Sequence, residues 1–223
     1  MADYGKYICK SALIKRGWTN KLIKTLLPAP IKRPNPHYKN TAPMLLWNLE
    51  TVIALESTPA LIEAMSKKKE RSARAKAASE TKKKNLCESA LQYGFVVQQI
   101  PLQQLREDTL KAKEEWYASQ SWHNPDYDYY SVYGADEDTI RRWEVNHIRH
   151  HLTSYDMACS SLDGRTGKNE AHYILKGKVL DRIAEVYPHL AEECERQKEE
   201  RFLPSTADIA YCENLVNALP SHP

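Results

Sequence analysis

No two of the five cysteines stand in a CxxC spacing; Cys9, Cys87, Cys159, Cys194 and Cys212 are scattered along the chain. That excludes a cysteine-rich zinc knuckle and argues against a disulfide framework, leaving buried or idle thiols. No apolar run approaches the roughly 18 residues of a membrane-spanning helix, so no membrane partner is expected. Residues Met1 to Lys6 lack the charged-then-apolar order of a secretory signal, and a cytoplasmic protein is the expectation. GxGxxG, GxSxG and GxxxxGK[ST] motifs are missing. The stretch Gly164-Arg165-Thr166-Gly167-Lys168 has neither the spacing nor the preceding strand of a phosphate loop. Glycine is scarce, at seven residues, and phenylalanine scarcer, at two. Few glycines, abundant Ala, Leu, Lys and Glu, and long stretches without turn signals predict a mainly helical protein. No internal repeat is present.

What the chain does have is an uneven charge. The formal net charge is +3. Residues 1–84 carry 18 Lys and Arg against 6 Asp and Glu, a net of +12, while residues 85–223 carry 14 against 23, a net of −9. A basic front and an acidic back suggest two jobs, or one part screening the other.

The front organises around Lys32-Arg33-Pro34-Asn35-Pro36-His37-Tyr38-Lys39-Asn40-Thr41-Ala42-Pro43-Met44-Leu45-Leu46-Trp47. Pro34 and Pro36 hold their predecessors extended, and the asparagines suit turns. Thr41 reads as an N-cap and Pro43 as a first-turn residue of a helix running to about Ser57. Upstream, Lys6 to Cys9 reads as a strand. Ser11 reads as the cap of a short helix stopped by Gly17, and Thr19 as the cap of a second, ended by Pro28 and Pro30. The pair forms a helix-turn-helix-like unit whose polar face carries Lys15, Arg16, Lys21 and Lys24. A long helix, exposed or partly a disordered tether, is predicted from Pro59 to about Leu91. Residues 67–84 of it hold nine cations, among them Lys67, Lys68, Lys69, Arg71 and Arg74, against two acids. Such density suits phosphate binding by counterion release.

The back reads as helices with one aromatic loop. Residues 92–101 are a short strand or extended connector, and Leu102 to Ser119 a helix. An aromatic stretch from Trp116 to Tyr133 carries acids rather than cations, which favours core packing or a protein contact. Residues 136–162 read as one amphipathic helix with an acidic first turn. Asp163 to Gly167 is a turn, and helices follow over about 169–187, 188–201 and 207–219, the last capped by Ser205 or Thr206. His147, His150 and His151 share the helix over 136–162, but Arg149 lies among them and no HExxH glutamate is present. No metal, cofactor or catalytic set is assigned.

The run Asn35-Pro36-His37-Tyr38, a five-residue spacer, then Met44, Leu45, Leu46 and Trp47 resembles the DNA-binding domain of the xeroderma pigmentosum group A repair proteins. That family shows Asn-Pro-His-His, the same spacer, then Met and an aliphatic-aromatic run, between a strand with short helices and a long Lys/Arg/Glu helix. The similarity covers about residues 6–84. It implies a small winged-helix-like fold, related in shape to MerR-type domains, in which a β-hairpin wing and a basic helix touch DNA. By position, Lys32, Arg33, His37 and Lys39 fall in or beside the wing, and Lys67, Lys68, Lys69, Arg71 and Arg74 along the helix; Tyr38, in the same loop, is a further nucleic-acid-binding candidate. The family's zinc module has no counterpart, and Thr41 stands where the family hairpin has an aromatic, so duplex or backbone binding is the implied mode.

The expectation is therefore a mainly α protein with three parts. Residues 1–60 form a winged-helix-like nucleic-acid-binding module, 61–91 a basic helix or linker, and 92–223 an acidic helical domain for protein contacts or self-association. The function expected is non-enzymatic nucleic-acid binding, DNA first. The alternatives are an adaptor that docks its basic helix on an acidic protein surface, and a metal-dependent nuclease using the His147–His151 region.

Overall fold

The computed structural model describes residues 6–34, 42–123, 132–201, 203 and 205–218. The chain divides into two units, Met1–Ala78 and Ser79–Pro223. The division falls inside the basic segment expected over 61–91. The fold is mainly helical, with one small antiparallel sheet near the N-terminus, as the sequence predicts.

In the first unit, β1 (Tyr7–Cys9) runs directly into α1 (Lys10–Lys15). Cys9, not Ser11, occupies the cap position, and no side chain caps this helix. Ser11 lies inside the helix, its hydroxyl 3.1 Å from Cys9 Sγ. Gly17 ends α1 at φ 102°, a left-handed conformation that a side chain would strain. The reversal sends Trp18 into the core, and Thr19 Oγ1 accepts from the Leu22 amide at 3.2 Å to start α2 (Asn20–Leu26).

Downstream the expected helix over 43–57 is overturned in its first part. Met44–Asn48 is strand β3, at the centre of a three-stranded sheet ordered β1-β3-β2, with β2 at Ile31–Arg33. Ile8 pairs with Trp47, Cys9 and Ile31 with Leu46, and Lys32 with Leu45. Two strands satisfy both edges of the Met44–Asn48 backbone, and Leu46 and Trp47 are buried, which outweighs the helical reading of a short apolar run. The Trp47 indole N–H donates to the Pro28 carbonyl at 3.0 Å. Asn48, rather than Thr41, caps the helix: its Oδ1 accepts from the amides of Glu50 (2.8 Å) and Thr51 (3.3 Å) and opens α3 (Leu49–Glu56). Thr41 itself lies outside the described residues. The core of this unit is Ile8, Leu13, Trp18, Ile23, Leu27, Trp47, Val52 and Leu61. Leu61 comes from the first turns of α4 (Pro59–Gln92), which is continuous helix over its whole length.

In the second unit the last turns of α4 contribute Leu86, Cys87, Ala90 and Leu91 to a larger core. Residues 93–101 form neither helix nor strand, and the Tyr187 hydroxyl holds them, donating to the Gln98 carbonyl (3.1 Å) and accepting from the Ile100 amide (2.9 Å). Helix α5 (Leu102–His123) runs past the predicted end at Ser119, and Trp116 and Tyr117, also read as part of the aromatic stretch, are helical residues. Most of the remaining expected aromatic loop, residues 124–131, lies outside the described residues. The single helix expected over 136–162 is instead α6 (Glu137–His151) and α7 (Tyr155–Ser160). Thr153 makes the break: its hydroxyl donates to the Arg149 carbonyl (2.6 Å) and accepts from the Tyr155 amide (3.0 Å), competing with helix continuation. Helix α8 (Lys168–Val186) is the centre of the unit, burying Ala171, Ile174, Leu175, Val179, Leu180 and Ile183 against α9 (Ala191–Glu199), α10 (Thr206–Asn217) and α6.

Two features join α4 to α8 and α10. Lys83 Nζ meets Glu170 at 2.5 Å and Asp208 at 2.9 Å, beneath the Tyr211 ring. Gly167, at φ 90°, lies so close that a Cβ there would stand 2.9 Å from Lys83 Cα. The glycine-containing turn over 164–168 thus serves a close helix approach. The five cysteines are free, and burial pushes the thiols of Cys87 to about 11 and of Cys194 and Cys212 to about 12.

Candidate nucleic-acid interface

The cations singled out in the sequence fall into two groups, those with internal partners and those without. Arg16 belongs to the first. Its Nε donates to Glu56 Oε1 at 2.9 Å and a second guanidinium nitrogen meets Oε2, while the Trp18 indole N–H donates to the same carboxylate at 2.9 Å. The Arg16 hydrogen bond holds the Glu56 carboxyl below its usual range, against the opposing effect of burial. This triad ties the end of α3 to the α1–α2 turn. Lys68 Nζ donates to the Gly17 carbonyl at 2.8 Å, so it ties α4 to the turn between α1 and α2. Lys67 pairs with Glu63 at 2.5 Å, Arg74 stands 3.9 Å from Glu70, and Arg71 Nε donates to the Lys67 carbonyl at 3.2 Å. The Arg33 guanidinium lies 5.7 Å from the centre of the Tyr7 ring.

The second group is Lys15, Lys21, Lys24, Lys32 and Lys69. All are exposed, and none has a carboxylate partner among the described residues. Lys21 and Lys24 are three apart on α2, away from Ile23 and Leu27, which face the core. His37, Tyr38 and Lys39 lie outside the described residues.

Lys10, which the sequence did not single out, borders with Lys24 a groove of about 450 Å³ floored by Ile23, Leu27, Leu45 and Trp47. Lys32 sits in register with Leu45 on the adjoining strand. The signal for Lys10 was its position at the strand-to-helix junction, which becomes informative only once β1 is known to end at Cys9. Beyond this groove, α4 is exposed at every residue from 71 to 80, so its cations there face solvent.

In the second unit, the histidines share α6 as expected. His150 Nδ1 lies 2.7 Å from Asp156 Oδ1, and the rings of His147 and His151 are 4.8 Å apart. Among the described residues no group of three or more His, Cys, Asp or Glu is gathered to hold a metal ion. No helix of the described residues is long and apolar enough to cross a membrane. Comparison with models of protein families, with curated proteins and with solved structures finds no match for this chain.

Proposed function

We propose that the first unit binds nucleic acid, DNA in the first instance, by contacting the phosphate backbone through Lys15, Lys21, Lys24, Lys32 and the exposed cations of α4. The observation that carries this reading is the uneven pairing of charge within the unit. Its carboxylates at Glu56, Glu63 and Glu70 face cations of the same unit, while five lysines of the proposed surface have no such partner among the described residues. Free ammonium groups on a helix pair and an adjoining strand suit phosphates, which need charge and position but no base reading. The resemblance of residues 6–84 to the repair-protein domain points the same way, and residues 92–223 are assigned to protein contacts or self-association.

Arg16 and Lys68 hold the unit together, so substitutions there mix folding with binding. The clean test is the triple variant Lys21→Ala, Lys24→Ala and Lys32→Ala, measured by fluorescence anisotropy on a short duplex across a salt series. Each lost phosphate contact reduces the slope of log K against log salt by about 0.9, so the triple variant is expected to flatten it by about 2–3. An unchanged slope refutes the surface. A second reading has its own observation: the apolar groove rimmed by Lys10 and Lys24 also suits an acidic, apolar protein segment. In that reading the intact chain retards no DNA in a mobility-shift gel at moderate salt.

A further inference from the structure

A cluster of basic side chains lies in the second unit, within a part of the sequence that is acidic overall. Residues Thr109, Ala112, Lys113 and Trp116 form one stripe of α5, spaced by three and four residues. Trp143, Asn146, His147 and His150 form the facing stripe of α6. Where a helix pair ordinarily buries aliphatic side chains, these stripes enclose a groove of about 340 Å³. Lys113, His147, Arg149, His150 and His151 all line it, and among the described residues no carboxylate does.

Two of the five are committed elsewhere. Arg149 donates to Gln197 (3.1 Å) and Asn146 (2.9 Å) and lies over the Tyr155 ring, and His150 is held by Asp156. Lys113, His147 and His151 remain. Among the described residues Lys113 Nζ has aromatic neighbours in place of a counter-ion: the ring centre of Trp116 is 3.9 Å away, that of Tyr117 4.6 Å and that of Trp143 5.6 Å. Burial, and then Arg142, draw the Lys113 pKa below its ordinary value, as expected of a cation without a counter-charge. Two buried polar atoms of the lining, Thr109 Oγ1 and His147 Nδ1, also have no hydrogen-bond partner among the described residues, and Thr109 is only 2% exposed. Buried polar atoms without partners are uncommon in folded proteins and often mark a missing ligand or solvent.

We propose that the α5–α6 groove is a binding site for a small phosphate monoester. A phosphate monoester brings up to two negative charges and three terminal oxygens, enough to accept from Lys113, His147 and His151 together. The groove has the volume of a small-molecule pocket, and the half-exposed indole of Trp116 offers a surface to a planar group attached to the phosphate. The site is independent of the lysines of the first unit, so it stands or falls apart from nucleic-acid binding there.

The test is isothermal titration of the full chain, at fixed ionic strength, with adenosine monophosphate, inorganic phosphate and adenosine. The monophosphate is expected to bind saturably, phosphate more weakly, and adenosine not at all. Lys113→Met and His151→Gln are each expected to weaken the monophosphate about tenfold, the loss of one charge-assisted hydrogen bond. Lys24→Glu, in the first unit, should leave it unchanged. If Lys113→Met fails to fold by circular dichroism, the exposed His151→Gln carries the comparison. Phosphate binding as tightly as the monophosphate supports the anion site and removes the role of Trp116. The proposal is overturned if neither phosphate compound binds at millimolar concentration, if adenosine binds as well as its monophosphate, or if folded variants bind like the parent.

Discussion

Among the three consecutive lysines at 82–84, only the middle one is expected to matter for stability, and Lys83→Met isolates it while keeping most of the aliphatic stem. The Lys83 side chain is 17% exposed and its partner Glu170 14%, a buried pair at 2.5 Å. Removing one member of such a pair leaves the other charge uncompensated, which costs about 3–5 kcal/mol in fully buried cases. Methionine has about as much rotamer entropy to lose as lysine, so that contribution cancels, and the partial exposure of the pair sets the net expectation below the fully buried cost, at about 2–3 kcal/mol. In a unit of this size that lowers the melting temperature by about 5–10 °C. Lys82→Met and Lys84→Met are the controls. Lys84 has only an exposed pair with Glu88 at 3.7 Å, and both changes should cost less than about 0.5 kcal/mol. The assay is thermal unfolding of the full chain by circular dichroism across pH. Burial opposes the charge on Lys83, but hydrogen bonds to Glu170 and Asp208 prevail and raise its pKa above the ordinary 10.5. Its contribution is therefore complete below about pH 10 and disappears as pH rises through the folded-state value. The Asp208 carboxyl is lowered from 3.8 by Lys83 and Ser205, so that part of the contribution fades as pH falls below about 4. Parent and variant should differ by a constant amount between these limits. A Lys83→Met protein as stable as its Lys82→Met counterpart at neutral pH would refute the argument.

Three further outcomes follow from the same packing. Gly167→Ala places a Cβ against Lys83 Cα at a left-handed φ of 90° and should cost about 2–4 kcal/mol, read by the same melts. Glu56→Ala removes the acceptor shared by Arg16 and the Trp18 indole and should destabilise the first unit by about 1–2 kcal/mol, seen as faster hydrogen exchange of the α2 amides. Because the Glu56 pKa is lowered, that difference is present at neutral pH and vanishes as pH falls through the folded-state value. Glu144 has the opposite sign: burial raises its pKa, only partly offset by Arg106 at 3.5 Å, so the second unit should gain stability as pH falls from neutral toward the usual carboxylate range. Glu144→Gln should abolish that gain in urea unfolding series at pH 7 and pH 5.

The sequence was a good guide to elements set by local rules and a poor one to those set by partners. Gly17, Thr19, Pro28 and Ser205 mark boundaries through their own backbone or side chain, and all four act as read. Met44–Asn48 reads as helix in the sequence because an apolar pentapeptide carries no usable period, and its strand character comes from β1 and β2, remote in the chain. The break at 152–154 depends on which way the Thr153 hydroxyl turns, a choice no pattern of apolar residues records. For the candidate interface, lysine density was visible but lysine employment was not. Lys68 acts across 51 positions and Lys83 across 125, and only the fold separates them from free neighbours such as Lys69. The polar stripes of the α5–α6 groove were written in the helical spacing of Thr109, Lys113 and Trp116, yet their meaning required α6 opposite.

The enclosure of Lys83 has a chemical corollary. An amine-reactive reagent must meet an uncharged, accessible nitrogen, and this one is kept protonated between two carboxylates with the Gly167 backbone against its own. Lys82 and Lys84, one residue to either side, are open to reaction. The folded chain should therefore acquire label on both flanks and none between, and a tag appearing on the central amine would report that the second unit had opened.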